Sequence, residues 1–185
     1  MRTFIAIDLS PEIKSSLKSL VKICQQTKAE VKWVGENSFH LTLKFLGEID
    51  KSQIRSILEI MEIEAKKSQP FNLECRSIGF FPEKGTPRVI WVGVEFSPEL
   101  KDLQKRLEAS LLKIGFSQEA REFHPHLTLG RVKSSRYLES VLRELKKYQE
   151  KSFGQMTVKS ITLFESILKP SGAEYRIVQE VKLGC

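Results

Sequence analysis

The sequence predicts an α+β fold of two duplicated lobes, each of βαββαβ type, with antiparallel sheets around a central cleft. Three observations carry this. The tetrapeptide His-Leu-Thr-Leu occurs twice, at His40–Leu43 and at His126–Leu129, 86 positions apart. Two other landmarks recur in the same order at nearly the same spacing. Ile7-Asp8-Leu9 followed by Ser10-Pro11-Glu12-Ile13 returns 87 positions later as Val94-Glu95-Phe96 followed by Ser97-Pro98-Glu99-Leu100, and Ser77-Ile78 returns after 83 positions as Ser160-Ile161. Apolar residues alternate with period two around both histidines and with helical period between them, which separates strands from helices. An internal repeat sets the architecture before any single element does. Here its halves fall at roughly 1–84 and 85–185, within a chain of 185 residues that suits one bilobal domain.

The elements follow in order. Residues 2–8 form an apolar run of strand length. Ser10-Pro11-Glu12 opens a helix: serine can accept at the N-cap, proline loses nothing at the first helical position, and an acid suits the positive end of the helix dipole. Ile13, Leu17, Leu20, Val21 and Cys24 make its apolar stripe. A short strand at 30–34 carries Trp33, and the first motif strand covers 39–47. A helix at about 51–67 sets Ile54, Ile57, Leu58, Met61 and Ala65 on one face, and a strand follows at about 71–80. Gly85-Thr86-Pro87 joins the halves and is too short for a flexible linker, so the lobes should pack together and strands can cross between them. The second half repeats the order: a strand at 87–95, a helix burying Leu100, Leu103, Leu107 and Leu111, the second motif at His126, and a helix at about 135–149 with Leu138, Val141, Leu142 and Leu145 inward. Strands at about 160–168 and 173–183 close the chain around a turn at Lys169-Pro170-Ser171-Gly172.

Composition narrows the class. Hydrophobic residues are 41% and charged residues 29%, as in ordinary globular proteins, and the net charge of +7 favours an anionic partner, nucleic acid first. No lysine/arginine run is dense enough for a nucleic-acid tail. Three cysteines without framework spacing argue against a disulfide scaffold and for a reducing compartment. The first apolar run is too short for a signal peptide or a membrane span. The expectation is a cytoplasmic protein with no membrane partner.

The motifs carry the chemistry. In a strand, His40 and Thr42 share one face while Leu41 and Leu43 share the other, with same-face Cα atoms roughly 7 Å apart. His126 and Thr128 repeat this against Leu127 and Leu129. A single His-x-Thr is usually a polar strand face, but chance placement of two among three histidines has odds of roughly one in a few hundred. A pseudo-two-fold axis between the lobes would bring both imidazoles and both hydroxyls to one cleft. Imidazole titrates near pH 6.5, so one ring can take a proton from a nucleophile while the other gives one to a leaving oxygen. The hydroxyls can donate to phosphate oxygens as charge builds up there. That set suits phosphodiester cleavage and needs no metal. Lys44 shares the parity of His40 and could add a phosphate contact; Arg131 has the opposite parity to His126 and reaches the site only if the strand ends or bulges at Gly130. His124-Pro125-His126 can also be read as two metal ligands, but no cysteine or carboxylate cluster completes a site of known spacing, and His124 is assigned a structural or supporting role. Trp33, Phe39 and Phe45 can stack on a base, yet core packing is the commoner place for each ring.

On these residues the chain resembles the two-histidine (2H) phosphoesterases, and most closely the RNA 2′,3′-cyclic phosphodiesterases, also called 2′-5′ RNA ligases. The resemblance spans essentially the whole chain. It rests on Arg2-Thr3-Phe4-Ile5-Ala6-Ile7, Trp33-Val34, His40 through Glu48, Phe123 through Arg131, and Glu165 through Tyr175. It implies the bilobal 2H phosphoesterase fold. It also implies hydrolysis of a 2′,3′-cyclic phosphate at an RNA end to a 2′-phosphate, without metal or other cofactor, and ATP-independent joining of RNA ends through a 2′-5′ linkage. By the family pattern His40 is the proton donor to the 3′ oxygen and His126 the proton acceptor that activates water; chemistry alone leaves the two interchangeable. Thr42, Thr128 and Arg131 would bind the substrate phosphate, and Ser166 and Tyr175 would be structural. The implied partner is RNA with a cyclic phosphate end, tRNA fragments among the candidates, met by a monomer. Two alternatives stay open: an RNA-end-binding module without turnover, and another 2H phosphodiesterase acting on a different cyclic phosphate or oligonucleotide.

Overall fold

The computed structural model describes residues 1–170 and 172–184. Ser171, inside the expected turn, and Cys185 lie outside the described residues. The order is β1 (Arg2–Asp8), α1 (Pro11–Gln25), β2 (Val31–Trp33), a 3₁₀ turn (Glu36–Ser38), β3 (His40–Glu48), α2 (Gln53–Lys66), β4 (Phe71–Phe81), β5 (Val89–Val94), α3 (Pro98–Leu112), β6 (His126–Val132), α4 (Leu138–Lys146), β7 (Ser152–Val158), β8 (Ser160–Lys169) and β9 (Gly172–Lys182). The repeated Ser-Pro-Glu does the same work twice. Ser10 Oγ accepts from the Ile13 N–H at 3.4 Å and Ser97 Oγ from the Leu100 N–H at 3.2 Å, each with proline opening the helix.

Two antiparallel sheets form, in the orders β3-β1-β8-β9 and β2-β6-β5-β4-β7. This is the α+β, two-sheet architecture expected. Strands do cross between the sequence halves: β4 joins β5 and β7, while β8 and β9 join β1. The second half departs from the expected order. It has no strand between α3 and β6; β2 of the first half pairs with β6 instead. It also holds a strand not anticipated, β7, at the sheet edge, where Phe153 and Val158 are buried but Gly154, Gln155 and Thr157 dilute the pattern.

One apolar core fills the space between sheets and helices, with Ile5, Leu41, Ile57, Leu103, Leu127 and Leu129 among its members. Phe4, Ala6 and Phe164 form a second, small cluster on the opposite face of the first sheet, joined by Tyr175. Among the described residues no helix is long and apolar enough to cross a membrane.

Candidate active site

Both motif strands carry a bulge at the same place. In β3, Thr42 pairs with Ala6 and Lys44 with Ile5, so Leu43 is the extra residue. In β6, Thr128 pairs with Trp91 and Gly130 with Ile90, so Leu129 is extra. An extra residue reverses the alternation beyond it. Arg131 is thereby turned to the face of His126 and Thr128, the condition the sequence had set for it. The same reversal removes Lys44 from the cleft. It is 3% exposed, pairs with Glu108 at 2.9 Å and donates to the Ser117 carbonyl at 2.6 Å. Its expected phosphate contact is therefore corrected. Phe45 takes the cleft-facing place instead and is 59% exposed, against the expectation of a core residue. Phe39 is buried and Trp33 packs against the core, as read.

The repeat also explains why glycine follows Leu129. β3 is an edge strand, so Lys44 has room to reach α3. β6 is flanked by β2, and a Cβ on Gly130 would stand 2.6 Å from Val31 Cγ1 and 2.9 Å from Trp33.

His40, Thr42, His126, Thr128 and Arg131 line a single cleft of about 420 Å³. Each imidazole is fixed by the same contact. His40 Nδ1 donates to the Ser38 carbonyl at 2.8 Å and His126 Nδ1 to the His124 carbonyl at 2.7 Å. A carbonyl only accepts, so Nδ1 carries the hydrogen and Nε2 is the nitrogen left to react. His124 thus acts through its backbone. Its exposed ring packs edge-on against Trp91 and Phe81, at centroid distances of 5.0 and 5.6 Å. The Trp91 indole floors this side by lying over Gly79, where a Cβ would come within 2.0 Å of the ring.

The surroundings of the two rings differ. His40 rests on Phe4 (4.7 Å) with Tyr175 edge-on at 5.0 Å. Burial pushes its pKa down to about 4; the Ser38 hydrogen bond and the Asp8 charge oppose this, while Lys14 and His126 add to it. His126, with Phe81 edge-on at 5.1 Å, is also lowered, first by burial and then by His124 and Arg131, against its backbone hydrogen bond. Asp8 stands opposite His40 in the ladder and pairs with Lys14 at 2.6 Å. It is the nearby carboxylate that sequence spacing did not reveal.

Several cleft residues were missed or misassigned. Arg2, Thr3 and Phe4 enter from β1, and Ser166 and Tyr175 line the cleft rather than serving only as framework. Burial raises the Tyr175 phenol pKa, with the charges of Arg131 and Arg2 pulling it back. The quoted stretches at Arg2 and at Glu165–Tyr175 were the available signal. Among the described residues, no three His, Cys, Asp or Glu side chains gather as a metal ion would require.

Comparison with known proteins agrees with this geometry. The model of the 2′-5′ RNA ligase superfamily matches residues 24–168. A Methanocaldococcus jannaschii protein named RNA 2′,3′-cyclic phosphodiesterase is 35% identical, covering 97% of this chain and 99% of the relative. The Archaeoglobus fulgidus protein of that name is 36% identical over 95% and 97%. Among solved structures, TT0787 of Thermus thermophilus superposes with a TM-score of 0.84 at 27% identity, covering 99% of this chain and 98% of that one. Apo LigT of E. coli, 24% identical, shares the fold with a TM-score of 0.74 over 100% and 98%. The doubled His-x-Thr cleft and these full-length matches together place the chain in the 2′-5′ RNA ligase superfamily, among the two-histidine phosphoesterases.

Proposed function

We propose that this protein hydrolyses RNA 2′,3′-cyclic phosphate ends to 2′-phosphates by paired-histidine acid/base catalysis. The observation that carries this reading is the pair of imidazoles in one cleft, each with Nδ1 committed to a carbonyl and Nε2 free. His126 Nε2 takes a proton from water as the water oxygen bonds to phosphorus. The bond from phosphorus to O3′ breaks, and protonated His40 gives its proton to O3′. Thr42, Thr128 and Arg131 hold the non-bridging oxygens, where negative charge accumulates. The exposed Phe45 ring offers a stacking surface to the terminal base. A 5′-hydroxyl in place of water would leave a 2′-5′ linkage by the same displacement. All five side chains come from one copy, so a monomer acting as a single bilobal domain would carry a complete site. RNA ends of this chemistry include those of tRNA fragments. Cys24 and Cys75 are free, buried thiols raised to about 12 by burial, in keeping with a reducing, cytoplasmic setting.

The direct test is to incubate the protein in EDTA with a short RNA ending in a 2′,3′-cyclic phosphate and to locate the phosphate in the product. A 2′-phosphate is expected. Binding without turnover, or turnover that returns only with added divalent metal, would refute the mechanism.

The lowered imidazoles set the pH dependence. kcat/KM reports the free protein. Burial favours the neutral base, which is then available at lower pH, but it also discharges the acid at lower pH. Both limbs of a bell-shaped profile are therefore expected below about 6.5, the ordinary imidazole value. kcat reports the complex, where the substrate phosphate favours the charged acid, so its alkaline limb should lie at higher pH. Initial rates from pH 4 to 9 check this; kcat/KM still rising above pH 7 would contradict it.

A further inference from the structure

The geometry points to a second phosphate subsite, formed by Lys32 beside Arg131, for the phosphodiester on the 5′ side of the terminal nucleoside. This rests on the cyclic phosphodiesterase reading and extends it to the choice of substrate. Lys32 on β2 lies directly opposite Arg131 on β6. Residues so paired point to the same face, with Cβ atoms about 4.5–5.5 Å apart. Arg131 lines the catalytic cleft, so Lys32 stands on the cleft side as well. Its neighbours Val31 and Trp33 point the other way, packing over Gly130.

The Lys32 side chain reaches toward the start of β9, beside Ala173, which lines the end of the cleft. A Cβ on Gly172, at the base of β9, would lie 3.8 Å from Lys32 Nζ and 3.7 Å from Cε. The ammonium of the second sheet therefore reaches the rim of the first, one strand beyond the catalytic groups. Arg2 adds a further cation to the same cleft.

These cations are not neutralised. Arg76, Arg136 and Lys169 each pair with a carboxylate. Among the described residues no ion pair involves Arg2, Lys32 or Arg131. Adjacent like charges repel across a ladder, so the arrangement suits an anion supplied from outside. A cyclic phosphate carries one negative charge, which Arg131 can answer. Lys32 then answers a second one, and in RNA the next charge is the adjoining phosphodiester. A flexible ammonium is suited to a phosphate met as a point charge rather than bidentately.

The consequence is a preference for an end that continues into a chain over a lone cyclic nucleotide. The test compares adenosine 2′,3′-cyclic phosphate with the same nucleotide bearing a 5′-phosphate, which differ by that one group. Wild type should favour the 5′-phosphorylated form in kcat/KM by about three- to tenfold at low salt. Lys32→Gln should bring the ratio close to one, and Lys32→Arg should restore it. The salt slope on the 5′-phosphorylated substrate should fall by about one with Lys32→Gln. Equal kcat/KM on both substrates in the wild type, or an equal loss on both in Lys32→Gln, would overturn the subsite while leaving the phosphodiesterase reading intact. No turnover of either substrate by the wild type would overturn that reading, and the subsite with it.

Discussion

Replacing either His40 or His126 by alanine is expected to lower kcat by roughly 10²–10⁴, the usual worth of one positioned proton transfer. The two rings act in one displacement: one takes the proton as the P–O bond forms, the other gives a proton as P–O3′ breaks. Losing either stops the same step, so the double variant should be little worse than the weaker single one. The fold should tolerate the changes, because both motif strands are held from behind by Leu41, Leu43, Leu127 and Leu129. Single-turnover rates for the two single variants and the double, with thermal unfolding as a control, decide it. A folded single variant with near-wild-type rate would end the paired mechanism, and multiplicative losses would show that the two rings contribute independently rather than as a unit.

The largest expected effect on stability comes from Lys44→Met. Lys44 and Glu108 form an ion pair with side chains only 2% and 8% exposed, and the ammonium also donates to the Ser117 carbonyl. Gln104 completes the group, with its Nε2 3.4 Å from the Leu43 carbonyl and 3.5 Å from Glu108 Oε1. Removing the cation strands a buried carboxylate and costs about 3–5 kcal/mol. At about 2–4 °C per kcal/mol for a chain of this size, Tm should fall by roughly 6–20 °C. Removing both charges, as Lys44→Met with Glu108→Leu, should recover most of the loss, since well-packed apolar side chains replace such pairs at little cost. Denaturant unfolding of the wild type, the single variant and the double variant measures this. A single variant within about 1 kcal/mol of wild type would mean that water or a neighbouring cation already screens Glu108.

How much of this was legible depends on which rule governed each residue. Strand alternation placed His40 with Thr42 and His126 with Thr128, because no bulge lies between them. It failed two residues later, because an extra residue at Leu43 and at Leu129 reverses the faces. The clue was present: if the second strand must bulge for Arg131 to reach the site, its repeat should bulge too, which would have sent Lys44 inward and Phe45 outward. The starts of α1 and α3 were read correctly because Ser-Pro-Glu acts locally, whereas α2 and α4, which lack it, begin two to three residues later than read, at Gln53 and Leu138. The partnership of β2 with β6 was not readable, since a three-residue strand carries no mark of its partner. β7 was lost for a similar reason, as an edge strand needs little apolar pattern of its own. Asp8 and Tyr175 come near His40 only through tertiary pairing, and no spacing rule connects them to it.

The exchange of strands between the sequence halves has a consequence for how the molecule comes into being. The sheet that holds His40 takes two of its four strands from the last quarter of the chain, Ser160–Lys169 and Gly172–Lys182. During synthesis the first motif therefore emerges long before the strands that will sit beside β1. Its aromatic face must wait, uncovered, for Phe164 and Tyr175 to arrive. Contacts this distant in sequence slow folding and lengthen the exposure of unpaired edges. The two halves are thus interlaced, and the first catalytic histidine acquires its full surroundings only once the strands Ser160–Lys169 and Gly172–Lys182 have left the ribosome.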